Sequence, residues 1–423
     1  MTSAPTTPAV SSSDRIRTVQ RRTLAVLSAT QIVSGVGVAV GLALSSVVVD
    51  ELSGSTVISG FAGTATVLGA ALLALPTAKA SGSGGRRAGL SLAYAAALAG
   101  CLISALAISL RTWPLLLAGL VLVGGGSAGS LAARYSATDL SPKGRSARHL
   151  SLVVWASTIG SVAGPNLAKP TDQIGMRLGL VEKAGPFVFA ALAFAVALAL
   201  IFCLLRPDPL TLARSQNAGP DTGRGPKGTI RTAWQTLRTT PMAGRALVMI
   251  AVSHTAMVSV MSMTPVKLHH DGSNLDVIGL VISLHIAGMY VLSPVVGWLA
   301  DKAGKVPVLV LGMALLLCAA TLAGTAGDHR IWQVTAALVL LGLGWSCGLV
   351  AGSALVTESV PLDRRPAVQG LSDLLMNVCG ATGTIVAGAI VGTLGYGVLG
   401  LVVGVMVALA GAWLTFTWRT DRP

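Results

Sequence analysis

Apolar residues recur along this chain in long blocks, broken by short polar turns, from the first quarter of the sequence to the last. Each block is long enough to cross the ~30 Å hydrocarbon core of a bilayer as a helix. Twelve can be delimited, at 24–49, 56–78, 86–110, 113–138, 148–170, 185–205, 244–266, 275–299, 305–326, 331–357, 367–393 and 396–417. Run length excludes strands, as does the shortage of the alternating polar positions that a membrane barrel requires. The expected fold is all-α, with twelve transmembrane helices surrounded by lipid. Fifty glycines suit it, because small residues let membrane helices approach closely, and the stretch 124–133 reads as one such seam.

Composition narrows the class. The chain is 53% hydrophobic and 11% charged, more apolar than a soluble core needs. The formal net charge of +14 invites a nucleic-acid partner, but the distribution argues otherwise. With the N-terminus in the cytoplasm, 24 of the 30 Lys and Arg lie on the inner side, and the outer loops hold only Arg111, Lys169, Arg177, Lys183, Lys267 and Arg330. This is the positive-inside pattern, so the basic balance reports topology. The expectation is a monomeric multi-pass protein of a bacterial inner membrane, both termini cytoplasmic, with no nucleic-acid partner. The five cysteines lie singly in apolar runs and form no metal or disulfide framework. No nucleotide-binding loop is present, and neither enzymatic chemistry nor a cofactor is expected.

The pattern breaks once, between Arg206 and Arg245, in a basic Pro- and Gly-rich stretch. The division predicted is a disordered arm over 1–23, a six-helix bundle over 24–206, a cytoplasmic linker over 207–243 with a short amphipathic helix at 230–237, a second bundle over 244–418, and a tail over 419–423. The halves echo each other: Thr138, Asp139, Pro142 and Arg145 recur as Thr357, Glu358, Pro361 and Arg364, each 219 residues later. A duplicated six-span unit follows.

Between spans 8 and 9 the residues Gly297, Asp301, Lys302, Gly304 and Lys305 fall in a G-x-x-x-D-K-x-G-K pattern. It resembles the cytoplasmic loop signature of the major facilitator superfamily. Asp301 can accept bonds from a neighbouring helix end while Lys302 and Lys305 stay in water, latching the inner side. In the first half the same loop keeps Arg86 and Arg87 but has Gly82 at the aspartate position. Span 5 carries Gly160, Gly164 and Pro165, similar to the G-x-x-x-G-P element of proton-linked exporters of that superfamily; a kinked packing helix explains the same residues. Arg134 and Asp139 close the inner end of span 4 as gate candidates. Gln369, Asp373 and Asn377 share one face of span 11, with Asp373 a proton carrier or an inner cap.

The chemistry that stands out is sulfur and imidazole. Span 7 carries Met257 and Met261, span 8 carries His285 and Met289, and spacing of four puts each pair on one helix face. On antiparallel spans the four side chains fall at similar depth. Thioether and neutral imidazole suit Cu(I). Methionine is equally a packing residue, but histidine inside a membrane is a functional candidate. Shifting back by 219 gives Val38, Leu42, Thr66 and Ala70, so duplication does not account for the cluster. His254 shares a face with Met257 and Met261, and is either a further ligand or a proton site. His269 and His270, at the outer end of span 7, either capture a cation or form a solvated turn.

This pairing of motifs resembles the CcoA-like transporters, major facilitator proteins that import copper, a family with a riboflavin-carrying branch. The resemblance implies copper binding by Met257, Met261, His285 and Met289, with copper as cargo. Uptake of copper is the leading expectation. Alternatives are riboflavin or another small organic solute, a proton-coupled exporter, and a membrane chaperone that binds copper without moving it. Gln31, Trp155, Asn166 and Trp345 are candidates to line an organic-solute cavity, although aromatics are only 4% of the chain, which argues against a large stacked ligand.

Overall fold

The computed structural model describes residues 12–217, 230–273, 275–327 and 329–420, and the expectations for 1–11, 218–229 and 421–423 fall outside it. The first half runs through α1 (Ser12–Ser53), a single turn α2 (Thr56–Ser59), α3 (Phe61–Ser109), α4 (Trp113–Ser136), α5 (Ser146–Arg177) and α6 (Gly185–Ala199). A π-helical turn, Leu200–Leu204, ends span 6, and two linker helices follow, α7 (Pro209–Asn217) and α8 (Ile230–Thr239). The second half comprises α9 (Pro241–His270), α10 (Leu275–Tyr290), α11 (Ser293–Ala303), α12 (Lys305–Gly324), α13 (Ile331–Ser359), α14 (Arg365–Leu394) and α15 (Tyr396–Thr420). No strand occurs among the described residues.

Ten helices are long and apolar enough to cross a membrane, and the pair Ser146–Gly164 and Asn166–Arg177, bent by 54°, makes an eleventh span. The twelfth is hidden in α3, whose 49 residues would reach more than twice the hydrocarbon thickness if straight. It is not straight: Gly85 has φ 84° and ψ 175°, a backbone open to glycine and costly for other residues. The chain doubles back there, and a Cβ at Gly89 would meet the Thr77 carbonyl at 2.6 Å.

Two boundaries depart from expectation. Helix α1 begins at Ser12, so residues 12–23 are not a disordered arm. They are helical because Gln20 is buried and its amide donates to the Ala137 carbonyl at 2.7 Å, which fixes the segment to the end of span 4. The linker likewise holds α7 in addition to the expected amphipathic helix.

The apolar core divides with the chain. One cluster unites the second half around Met249, Leu309, Trp345 and Val368, and takes in Ala147, Leu150 and Val154 of α5. The first half has two, around Tyr94 and Phe194 and around Val48, Leu120 and Phe187. The end bearing the Lys- and Arg-rich loops is called inner below.

Candidate functional site

A cavity of about 410 Å³ lies between the halves. Its first-half wall carries Gln31, Ser127, Ser130, Arg134, Ser157 and Ser161 from α1, α4 and α5, set among apolar residues such as Val38, Leu131 and Val154. Its second-half wall brings His254, Met257, Met289, Tyr290, Trp345 and Asn377. The Trp345 indole N–H donates to His254 Nδ1 at 3.1 Å, which leaves the imidazole proton on Nε2. Tyr290 meets the Trp345 ring edge-on, centroids 5.7 Å apart. Two of the chain's aromatics, Tyr290 and Trp345, thus meet at this wall beside His254. The opposite wall holds unused polar capacity: Arg134 Nε and Nη1 and Gln31 Oε1 are buried without a hydrogen-bond partner.

The predicted sulfur and imidazole cluster is only partly assembled. Met257, Met289 and His254 line the cavity, whereas Met261 and His285 do not. Met261 is half-buried against the second-half core. His285 is fully buried and turns to α13, where its Nδ1 lies 2.7 Å from the Leu338 carbonyl. A ring taken out of water needs a partner for its N–H, and α10 and α13 run close enough for the backbone to supply one. Spacing of four places two side chains on one helix face, but a face is wider than the strip that reaches the cavity. Of the four organic-solute candidates, Gln31 and Trp345 line the cavity; Trp155 and Asn166 are exposed.

Inward from the cavity the halves are closed against each other. Arg134 Nη2 donates to Asp373 at 2.7 Å, both side chains almost wholly buried, and Tyr135 donates to Ser372 at 3.1 Å. Next comes Arg86, which pairs with Asp139 at 2.7 and 3.0 Å and donates to Gln369 at 2.7 Å across the seam. Gln369 and Asp373 thus spend the polar face of span 11 on the first half, leaving Asn377 for the cavity.

The signature loop sits at the edge of this closure. Asp301 accepts the backbone N–H groups of Ala147 and Arg148 at 3.2 and 3.0 Å, capping α5 of the other half. Capping is favourable because those amides lack helical partners. Lys305 does not stay in water as expected: 11% of its side chain is exposed, and it bridges Asp301 at 3.5 Å and Glu358 at 2.8 Å, where Ser146 also donates. Two carboxylates converging on one ammonium account for that burial. Lys302 is exposed, its ammonium 4.7 Å from the Trp298 ring centre.

The first-half loop solves the same problem with different groups. Position 82 offers no carboxylate, and Pro366, which aligns with Ala147 at the 219-residue offset, offers no N–H. Arg214 of α7 instead donates to the carbonyls of Gly82 at 2.8 Å and Asp363 at 3.5 Å. Burial lowers this guanidinium from its ordinary value, and nearby Arg86 lowers it further. Asp208 fixes α7 by accepting from the backbone N–H of Arg87 at 2.7 Å. Nothing in the linker's composition marked Arg214, and only its position would have found it.

Elsewhere, Gly160 and Gly164 press span 5 on span 1: a Cβ at Gly160 would lie 2.7 Å from the Ile32 carbonyl, and one at Gly164 2.3 Å from the Ala39 Cβ. The bend in α5 falls at Pro165. His269 and His270 are exposed at the outer end of α9. Asp271 pairs with Lys267 at 2.9 Å. His270 lines a separate outer cavity of about 690 Å³ with Met263 and Tyr396.

Two six-helix bundles that meet around a central cavity and are closed at one end by buried ion pairs define a membrane carrier of the alternating-access kind. The family profile of the Major Facilitator Superfamily matches residues 26–274 and 246–423. The chain belongs to this superfamily of transporters. It is 34% identical to the uncharacterized MFS-type transporter YdeG of Bacillus subtilis, over 95% of this chain and 93% of that protein. Riboflavin transporter RfnT of Brucella anthropi is 27% identical over 93% of this chain and 94% of its own length. The human organic anion transporter MFSD10 shares the fold at a TM-score of 0.75 and 16% identity, covering 93% of this chain and 99% of that one. A bacterial homologue of the iron transporter ferroportin in the outward-facing state does so at 0.73 and 14%, covering 95% and 100%.

Proposed function

We propose that the chain imports a small, planar, hydrogen-bonding organic solute of the flavin type across a bacterial inner membrane. The carrying observation is that one cavity brings together aromatic rings and polar groups left without partners. Tyr290, Trp345 and His254 offer an aromatic surface, while Arg134 and Gln31 hold buried polar atoms that nothing in the protein satisfies. Unpaired buried donors and acceptors are costly, and a ligand that completes them is selected over one that cannot. At about 410 Å³ the cavity lies within the ~300–1,000 Å³ of small-molecule sites. The likeness to a riboflavin transporter over nearly the whole chain supports this choice.

Bundles 24–206 and 244–418 rock as units about this site, with both termini and the linker cytoplasmic. Asp373 is the candidate proton carrier, since release from Arg134 takes away the nearest counter-charge of a buried carboxylate.

Copper as Cu(I) is the second reading. It is favoured by the two thioethers, Met257 and Met289, that face one cavity. Uptake of labelled riboflavin and of reduced radioactive copper, measured in parallel in cells expressing the wild type or Met257→Ala/Met289→Ala, separates the two. Saturable riboflavin uptake without copper accumulation supports the first reading. Copper accumulation lost in the variant replaces it with the second.

A further inference from the structure

Helix α8 takes no part in the cavity or in the closure, and its sides differ in character. Ala233 and Thr236 are buried, on the side that packs on α14 and α9. On the other side Ile230 and Trp234, four residues apart, are 50% and 56% exposed. Arg231, Gln235 and Arg238 are exposed too, and the Arg238 guanidinium lies 5.8 Å from the Trp234 ring centre. At ~100° per residue, the order around the helix is the buried face, then Leu237, Ile230 and Trp234, then Arg238 and Arg231. This is an apolar strip with two guanidiniums along its wet edge.

Place and charge say what covers the strip. One residue, Thr240, separates α8 from Pro241, where α9 begins, so α8 lies at the level where span 7 enters the bilayer. Tryptophan at that depth seats in the headgroup region, and guanidinium matches phosphate oxygens. The sequence holds no Asp or Glu from Ile230 to His270 to compete for them.

We propose that α8 is an interfacial helix that binds an anionic phospholipid of the inner leaflet, with Arg231 and Arg238 on the headgroup phosphate and Ile230 and Trp234 in the acyl boundary. Because α8 packs on α14, the helix of Gln369, Ser372 and Asp373, the bound lipid bears on a wall of the inner closure. This assignment is independent of the solute carried.

The test is retention of lipid by the purified full chain, measured by native mass spectrometry after exposure to vesicles of equal phosphatidylglycerol and phosphatidylcholine. A basic side chain near an anionic leaflet contributes about fivefold in partitioning. The wild type is expected to prefer phosphatidylglycerol, and Arg231→Gln/Arg238→Gln to cut that preference about tenfold or more. Should the double variant not reach the membrane, each single variant is expected to cut it about fivefold. An unchanged preference in these variants overturns the proposal. So does displacement of the lipid from the wild type by inorganic phosphate at the same concentration, which would mark a small-anion site.

Discussion

The hydroxyls of Thr138 and Thr357 lie 3.5 Å apart across the seam, and the two residues are 219 positions apart in the chain. That spacing is the offset at which the halves echo each other, so equivalent residues touch on the pseudo-twofold axis of the molecule. Around them the pairs Arg86 with Asp139, 2.7 Å, and Lys305 with Glu358, 2.8 Å, occupy matching positions. The duplication has been kept where the halves must part and rejoin.

If the halves separate here in each cycle, a bond across the axis stops the cycle. Thr138→Cys/Thr357→Cys is expected to lose uptake under mild oxidant and to regain it with dithiothreitol, while neither single variant responds. Uptake that continues in the cross-linked protein, verified on a gel after cleavage in the linker, would mean that this seam does not open.

The Arg134–Asp373 pair is buried on both sides. Removing one partner strands a charge, at a cost of about 3–5 kcal/mol, whereas removing both is far milder. Asp373→Asn and Arg134→Gln are each expected to lower the thermal midpoint in detergent by more than the double variant does. A double variant less stable than either single would show that the pair does not act as a unit.

Arg214 stands in for two groups that the first-half loop lacks. Arg214→Ala is expected to weaken inner closure by about 1–2 kcal/mol, read as faster labelling of a cysteine placed at Gln369. Adding Gly82→Asp alone should not repair it, because Pro366 has no N–H to donate. Adding Pro366→Ala as well should. Repair by Gly82→Asp alone would refute the equivalence drawn with Asp301.

Gly160 has the Ile32 carbonyl where a methyl would go. Gly160→Ala is expected to cost about 1–3 kcal/mol of stability and to reduce transport of whatever solute is carried. A variant with unchanged melting and unchanged uptake would show that spans 1 and 5 can spread without consequence.

Much of this architecture could be read from the chain. Run lengths gave the spans, and the echo of Asp139 in Glu358 pointed to a duplicated six-span unit. What escaped has a common cause. A helix apolar on all sides carries no moment to show which face meets a neighbour, so nothing in the sequence said that His285 would turn to α13 while Met289 met the cavity. Ion pairs between residues as distant as Arg134 and Asp373 are likewise invisible to local pattern. Lys305 reads as solvated because the loop around it offers a single carboxylate, Asp301 of α11; the second, Glu358, comes from α13.

The inner closure is made of groups that water would serve nearly as well. Parting the halves exchanges these bonds for hydration, so the closed and open forms differ by the small remainder of large, opposed terms. Such a gate sits near balance. A single ligand hydrogen bond or one proton is then enough to tip it, and the work of moving a solute is done by selecting between forms that thermal motion already visits.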